Sequence, residues 1–484
     1  MAARTQILVV DVGTSGVRAA AVGEDARIVH EERREVLPSS PGPGLVEFDA
    51  HELARAALAV ARATIAAVGP VAAVGIANQR ASAVAWSRAT GAPVGPGLGW
   101  QDLRTIEHCR RLHAAGLPVT PNGTATKAAW LLEHAGVRDR DDVCVGTVDA
   151  WIAWTLSGGA LHVTDASNAS ASGMGSAAAG DWNGELLRAV GVPRHALPAI
   201  VDSSGILGPA RALPGAPPIA GIAGDQQASL AGQGCVAPGM AKITFGTGAM
   251  LDVCLGPERP GFELTGPQGC VPLVAWRVRG ALTWLLEGLV LAAGSNVEWL
   301  RDGLGLLADT DDCHSVAASC ASSEGVVFVP ALLGLGTPYW DYEARGALLG
   351  LSRTTRRAHV VRAVLEGIAQ RAADLVEAAE VDGGRAIATL RIDGGMSANP
   401  TFVQAVADAT GRPVAVSAEP EATTLGAAFL AGLAIGTWKG WDDVAAALPP
   451  ARRVEPAGSF DRARWREACR RAAKLAAPPP AATR

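Results

Sequence analysis

The sequence predicts an α/β protein built as two domains, and three observations carry that expectation. Short apolar runs end repeatedly in an Asp/Gly turn: ILVV before Asp11, IAGIAG before Asp225, and LRI before Asp393. Helical patterns follow the second and third of these turns, as they do where strands of an α/β sheet give way to helices. At 484 residues the chain also exceeds what one hydrophobic core normally serves.

Taken in order, residues 7–10 read as a strand ending in DVGTSG, and LPSSPGPGL at 37–45 reads as a loop. Asp49 with Glu52 has the form of a capping box opening a helix through HELARAALAVARATIAAV. A strand at 71–77 leads into NQRAS, expected to be a hairpin-like polar turn at the floor of a cleft. Trp130, Leu131 and Leu132 fall on a helix begun near Thr126, and 143–157 reads as mixed strand and helix. Ile219 to Ala223 reads as a strand, AKITFGTGAML at 241–251 as strand, turn and strand, and ATLRIDGGMSAN at 388–399 as strand, turn and helix. The strand ends are expected to converge on a cleft, with a first domain at 1–240 and a second at 241–448. Residues 449–484 are expected to form a charged helix, through EACRRAAK, and a disordered tail.

With 49% hydrophobic and 18% charged residues, bulk disorder is excluded. A net charge of −5 argues against nucleic-acid or anionic-membrane partners, because no basic excess is present to neutralise phosphates. Eight cysteines without a CxxC pair fit reduced, buried thiols better than zinc or disulfides. No apolar run approaches a membrane span and the N-terminal one is too short for a signal peptide, so the expected location is cytoplasmic. His51, His108, His113 and His359 lie among charges and are expected on solvated helix faces. Most of the 13 tryptophans are expected in cores, with Trp100 the exception.

Neither GxxxxGK[ST] nor GxGxxG occurs. In their place stand two Gly/Thr turns, DVGTSGVR at 11–18 and GTG at 246–248. Successive N–H groups in such turns can cradle an anion, and glycine permits close approach. One such turn reads more readily as a plain hairpin; two of them, with Asp11 able to hold Mg²⁺ through water, favour a phosphate clamp. Asp225 has two readings from its turn alone. It could cap the helix that follows, or act as a base that takes a proton from an attacking hydroxyl.

These motifs together resemble the FGGY family of carbohydrate kinases within the actin-like ATPase superfamily, and the glycerol kinase-like members in particular. The resemblance runs from Ile7 to about Leu448, and GALLGLSRTTRRAHVVRAVLEG at 346–367 fits the family's C-terminal signature. It implies two actin-like (ribonuclease H-like) domains with nucleotide and substrate in a cleft between them, ATP with Mg²⁺, and transfer to a terminal hydroxyl of a small polyol or sugar. By the same resemblance Gly13, Thr14, Ser15, Arg18 and Thr247 lie near ATP phosphates and Asp11 near the metal. Gly294 and Glu298 in LAAGSNVEW, and Gly395 and Asn399 in DGGMSAN, would line the nucleotide site. Asp225 would be the catalytic base, with Gln226, Arg80 and Trp100 contacting the acceptor. A homodimer or homotetramer is compatible with the family.

The chain departs from glycerol kinases at two acceptor positions. Ala81 stands where they usually carry glutamate, and Asn122, in PNGTATKAAW, where they carry an aromatic residue. Losing an acceptor and a wall implies an altered substrate, and a polyol or sugar of four or five carbons is the expectation. A pentulose kinase of the xylulokinase type is the alternative enzyme, although NQR replaces the Met-His-Gly turn usual there. An actin-like ATPase without kinase activity would need a peptide-binding domain or polymer interface, for which little chain remains. A silent sugar sensor fits poorly with Asp11, Asp225 and both Gly-Thr loops.

Overall fold

The structure, a computed structural model, describes residues 5–117, 119–176, 180–448 and 452–473. The expected tail at 475–484 lies outside the described residues. The chain divides into two compact units, each α/β. The first comprises Met1–Val236, Leu273–Trp284 and Glu421–Pro449; the second comprises Ala237–Pro272, Leu285–Pro420 and Pro450–Arg484. The first crossing lies beside the expected boundary at 240, and two later segments return to the first unit.

In the first unit, β1 (Gln6–Val12), β2 (Gly16–Gly23) and β3 (Ile28–Glu35) form an antiparallel meander. β1 is buried on both faces, which is why it reads as an unbroken apolar run, whereas β3 carries a charged, half-exposed edge. Helix α1 (Ala50–Val68) follows, and Asp49 caps it by accepting the His51 and Glu52 N–H groups. Strand β4 (Ala73–Asn78) then pairs parallel to β1.

The NQRAS segment is not a hairpin. The next strand, β5 (Val84–Ser87), pairs antiparallel with β6 (Val143–Gly146) in a separate two-stranded sheet. The polar residues therefore mark where the chain leaves the main sheet, and sequence patterning gives no register that would have shown it. Between these strands lies α2 (Thr124–His134), and after β6 come α3 (Val148–Ser157) and the short α4 (Ala166–Ala171). β7 (Ser204–Pro209) and β8 (Pro218–Gly224) come next, antiparallel to each other and with β8 parallel to β4, and α5 (Asp225–Gly232) follows directly.

The return of residues 421–449 has a packing reason. The helix Ala422–Ile435 lies against β4, β8 and α5, and it approaches α5 backbone to backbone. A Cβ at Gly232 would sit 1.8 Å from the Ala422 carbonyl oxygen, and one at Gly426 would sit 1.7 Å from that of Ala228. Only glycine at both positions permits this contact.

In the second unit, β9 (Ala241–Phe245) and β10 (Ala249–Gly256) form the hairpin around GTG, and β11 (Ala281–Val290), which belongs to this unit from Leu285 onward, comes later in the chain. Helix α6 (Gly294–Asp302) precedes the long α7 (Arg357–Gly383). Val361, Val364, Leu365 and Ile368 of α7 are all buried, so the family signature packs a core. β12 (Leu390–Asp393) runs parallel to β9 and leads to α8 (Pro400–Thr410).

His51 and His113 are exposed and His108 is half-buried, but His359 is buried, contrary to expectation. It sits in the first turn of α7, where its Nδ1 accepts the Arg356 N–H at 3.2 Å, a capping role for which burial is an advantage. Eight tryptophans are buried, while Trp100 is half-buried, as are Trp130, Trp299, Trp340 and Trp441. All eight cysteines are free, seven of them buried. Among the described residues no helix is long and apolar enough to cross a membrane.

Candidate active site

Parallel pairing in the first unit lines up three strand ends. Val12 pairs with Asn78 and Gly224 pairs with Asn78, so β1, β4 and β8 end side by side. Asp11, Arg80 and Asp225 therefore emerge at one edge, the carboxyl ends of the strands, where open α/β sheets bind ligands. Arg80 Nε donates to Asp225 Oδ1 at 3.1 Å, and the same oxygen accepts the Gln226 N–H at 2.8 Å. Gly224 makes this possible: a Cβ there would lie 2.7 Å from Cγ and Cδ of Arg80. Gly224, not Asp225, is the N-cap of α5, so Asp225 opens the helix as its first residue. Its side chain is about one-third exposed and that of Arg80 is nearly buried.

Asp11 lies on β1, opposite Arg18 of β2. Burial pushes its carboxyl up to about 6; the Arg18 charge opposes this, Asp225 adds to it, and Arg33 opposes it again. Arg18 itself pairs with Glu421, which also takes Arg33 Nη2 at 2.9 Å. In the turn that follows, the Gly13 N–H closes onto the Gly16 carbonyl at 2.9 Å, while the Gly13 carbonyl accepts Gln79 Nε2 at 3.2 Å. Thr14 Oγ1 accepts the indole N–H of Trp100 at 3.1 Å, and Ser15 is exposed. Ala81 takes a left-handed backbone, φ 61°, which costs a residue with a Cβ about 1–2 kcal/mol.

The structure brings Trp100 and Asn122 together, the Asn122 amide donating to the Trp100 carbonyl at 3.0 Å. Between their segments lies Lys127, fully buried, donating to the carbonyls of Gly99 (3.1 Å), Trp100 (3.4 Å) and Asn122 (2.9 Å). Burial pushes its ammonium down to about 7, with the charges of Asp102 and Cys109 working the other way. Asp102 is also buried. Burial alone would raise its carboxyl, but bonds from Arg104 and from the Val46 N–H, with the Arg104 charge, leave it below the usual range. Sequence reading passed over Lys127 as a site residue. Its signal was a lone lysine in an otherwise small and apolar helical stretch, TATKAAW.

The residues expected at the nucleotide in the second unit also converge. A cavity of about 540 Å³ is lined by Thr247, Gly294, Glu298, Gly395 and Asn399, together with Gly246 and the apolar Phe245, Val297 and Leu365. Gly294 N–H donates to the Gly246 carbonyl at 2.9 Å, and the Thr247 carbonyl accepts from Ala293 and Ser295. A Cβ at Gly294 would lie 2.7 Å from Gly246 O, whereas Gly395 faces open space. Asn399 caps α8 through the Phe402 N–H at 3.1 Å, so that helix starts at the cavity wall. Two helix N-termini, Gly294 and Pro400, line the cavity, and such ends favour anions. Its size and mixed apolar and glycine lining fit a purine nucleotide. No cluster of three or more His, Cys, Asp or Glu able to hold a metal occurs among the described residues. Mg²⁺ takes one or two carboxylates and otherwise water and substrate phosphates, and Asp11, a carboxylate beside the Gly13–Gly16 turn, fits such an ion.

Residues 6–232 match the N-terminal domain, and 241–435 the C-terminal domain, of the FGGY family of carbohydrate kinases. A glycerol kinase from Aromatoleum aromaticum is 43% identical over 491 residues, covering 96% of this chain and 98% of that protein. Among solved structures, Plasmodium falciparum glycerol kinase with ADP superposes with a TM-score of 0.88 at 27% identity, over 96% of each chain. A xyloylose kinase from Brucella ovis superposes at 0.83 with 28% identity, over 96% of this chain and 97% of that one. The chain belongs to the FGGY family of carbohydrate kinases, with the two-domain actin-like ATPase fold.

Proposed function

We propose that this carbohydrate kinase, an ATP-dependent phosphotransferase acting on an alcohol group, uses Asp225 as its base and Arg80 and Trp100 to hold a small polyol. The observation that carries the reading is the Arg80–Asp225 pair at the aligned ends of β4 and β8. A hydroxyl of the acceptor gives its proton to the Asp225 carboxylate as its oxygen bonds to the γ-phosphorus of ATP. The bond from that phosphorus to the bridging oxygen breaks, and its electron pair leaves with ADP. Arg80, fixed by Asp225, donates hydrogen bonds to the acceptor's hydroxyls. Thr247, Gly294, Glu298, Gly395 and Asn399, which line the second unit's cavity, hold the nucleotide, and the turn carrying Gly13, Thr14, Ser15 and Arg18 is assigned to phosphate binding. Asp11 would hold Mg²⁺, which neutralises phosphate charge when bound.

The relatives named glycerol kinase support a three-carbon acceptor. A second reading is favoured by two observations: Ala81 offers no acceptor oxygen, and the Asn122 amide is engaged with Trp100. On that reading a four- or five-carbon polyol or pentulose turns over faster than glycerol. The free thiols support a reducing, cytoplasmic setting.

The test is coupled ADP release over three- to six-carbon polyols and ketoses, on the parent and on Asp225→Asn. The expected result is ADP release only with an added acceptor, a loss of at least about 100-fold in Asp225→Asn, and unchanged ATP binding. Near-normal rates in Asp225→Asn would remove the base assignment. Glycerol outpacing every larger acceptor would remove the second reading.

A further inference from the structure

We propose that Ser167 and Asn168, on α4, are positioning residues that hold the Asp225 and Arg80 loops in one arrangement for phosphoryl transfer; this rests on the roles given above to Asp225 and Arg80. Neither side chain reaches solvent, and neither does that of Asn78. They therefore act on the acceptor only through the backbone they hold.

The anchor is Asp165, a fully buried carboxylate that caps α4. It accepts Ser167 N–H, Ser167 Oγ, Asn168 N–H and Asn168 Nδ2, each at 2.9 Å, and Ser203 Oγ at 2.6 Å. A buried carboxylate is costly unless its oxygens are satisfied, and here two of the four bonds from α4 fix the Ser167 and Asn168 side chains while the other two hold their backbone. Ser167 gives its hydroxyl proton to Asp165, leaving its oxygen to accept the Gly224 N–H at 3.0 Å, one residue before Asp225. Asn168 and Asn78 exchange two amide bonds, at 2.9 and 3.0 Å, two residues before Arg80. Asn78 also donates to the Gln79 carbonyl at 2.9 Å, and Gln79 reaches the Gly13 carbonyl of the phosphate turn. One short helix thus ties the backbones ahead of both Asp225 and Arg80 to a single buried carboxylate.

Sequence reading had no handle on this, because VTDASNASASG resembles an ordinary polar loop and helix cap. Catalysis that depends on placement is sensitive to shifts of the order of an ångström, with losses of about 100-fold.

The experiment compares Ser167→Ala, Ser167→Thr and Asn168→Ala with the parent and with Asp225→Asn. Rates are expressed per nucleotide-binding site, counted by ATP titration. Ser167→Ala is expected to lower kcat by about 10- to 100-fold while acceptor KM stays within about threefold, and Ser167→Thr, which keeps the hydroxyl, recovers most of it. Asn168→Ala is expected to raise acceptor KM by about tenfold through the Arg80 loop, with nucleotide affinity unchanged. If an alanine variant does not accumulate folded, Ser167→Cys and Asn168→Ser are judged by the same criteria. Per-site kcat and KM within about twofold of the parent would overturn the inference, since only folding would then depend on these residues. Asp225→Asn reports separately: its loss with unaltered Ser167 and Asn168 variants refutes the positioning role alone, while its near-normal rate refutes the assignment beneath it.

Discussion

Replacing Lys127 by methionine tests how the Trp100 and Asn122 segments are held. The ammonium is fully buried against three carbonyls, and burial brings its pKa from 10.5 down to about 7. The folded value lies below the unfolded one, so between those values the unfolded chain binds the extra proton and stability rises with pH. Below about pH 7 both states are charged and the penalty is complete; above about pH 10.5 both are neutral and it is gone. At about 1.4 kcal/mol per unit, the parent should gain ~3 kcal/mol between about pH 7 and about pH 9.5. Lys127→Met lacks this slope, although it leaves the Gly99 and Asn122 carbonyls short of a donor, at about 1–3 kcal/mol each. Urea midpoints followed by tryptophan fluorescence at about pH 7, 8 and 9.5 give the comparison. Thiols and other groups common to both proteins cancel in the difference. Parallel midpoint curves for parent and variant would refute the reasoning.

Other outcomes follow from the backbone. Gly426→Ala should cost more than about 3 kcal/mol or yield insoluble protein, because its Cβ would meet the Ala228 carbonyl at 1.7 Å with no flexible partner to yield; thermal unfolding and the soluble fraction measure it. Ala81→Gly should raise thermal stability by about 1 kcal/mol by relieving the left-handed backbone at φ 61°, and a lower midpoint would contradict that.

Much of the site was legible because it is built from local rules. An apolar run leading to Asp marks a buried strand near its turn: Asp11 is the last residue but one of such a strand, Asp225 follows one and Asp393 ends one. The five residues expected around the nucleotide in the second unit do line one cavity. What escaped notice were groups whose partners are remote in sequence. Lys127 looks like one cation in a helix until the carbonyl of Gly99, 28 residues away, is found against it. Asp165 looks like a helix cap until Ser203 and, through Ser167, Gly224 are placed beside it. The NQRAS turn was misread for a related reason, since whether two strands pair with each other or with others is not written in either strand.

The sequence by itself determined the strand ends, the glycine turns, the helix caps and the carbohydrate kinase family, all set by short-range sterics, capping and contiguous motifs. Only the tertiary structure decided that β1, β4 and β8 end in register, that residues 421–449 return to the first unit, and that one buried carboxylate braces both Arg80 and Asp225. Register and close backbone approach depend on which surfaces meet, and burial creates the need for those polar bonds only after they have met.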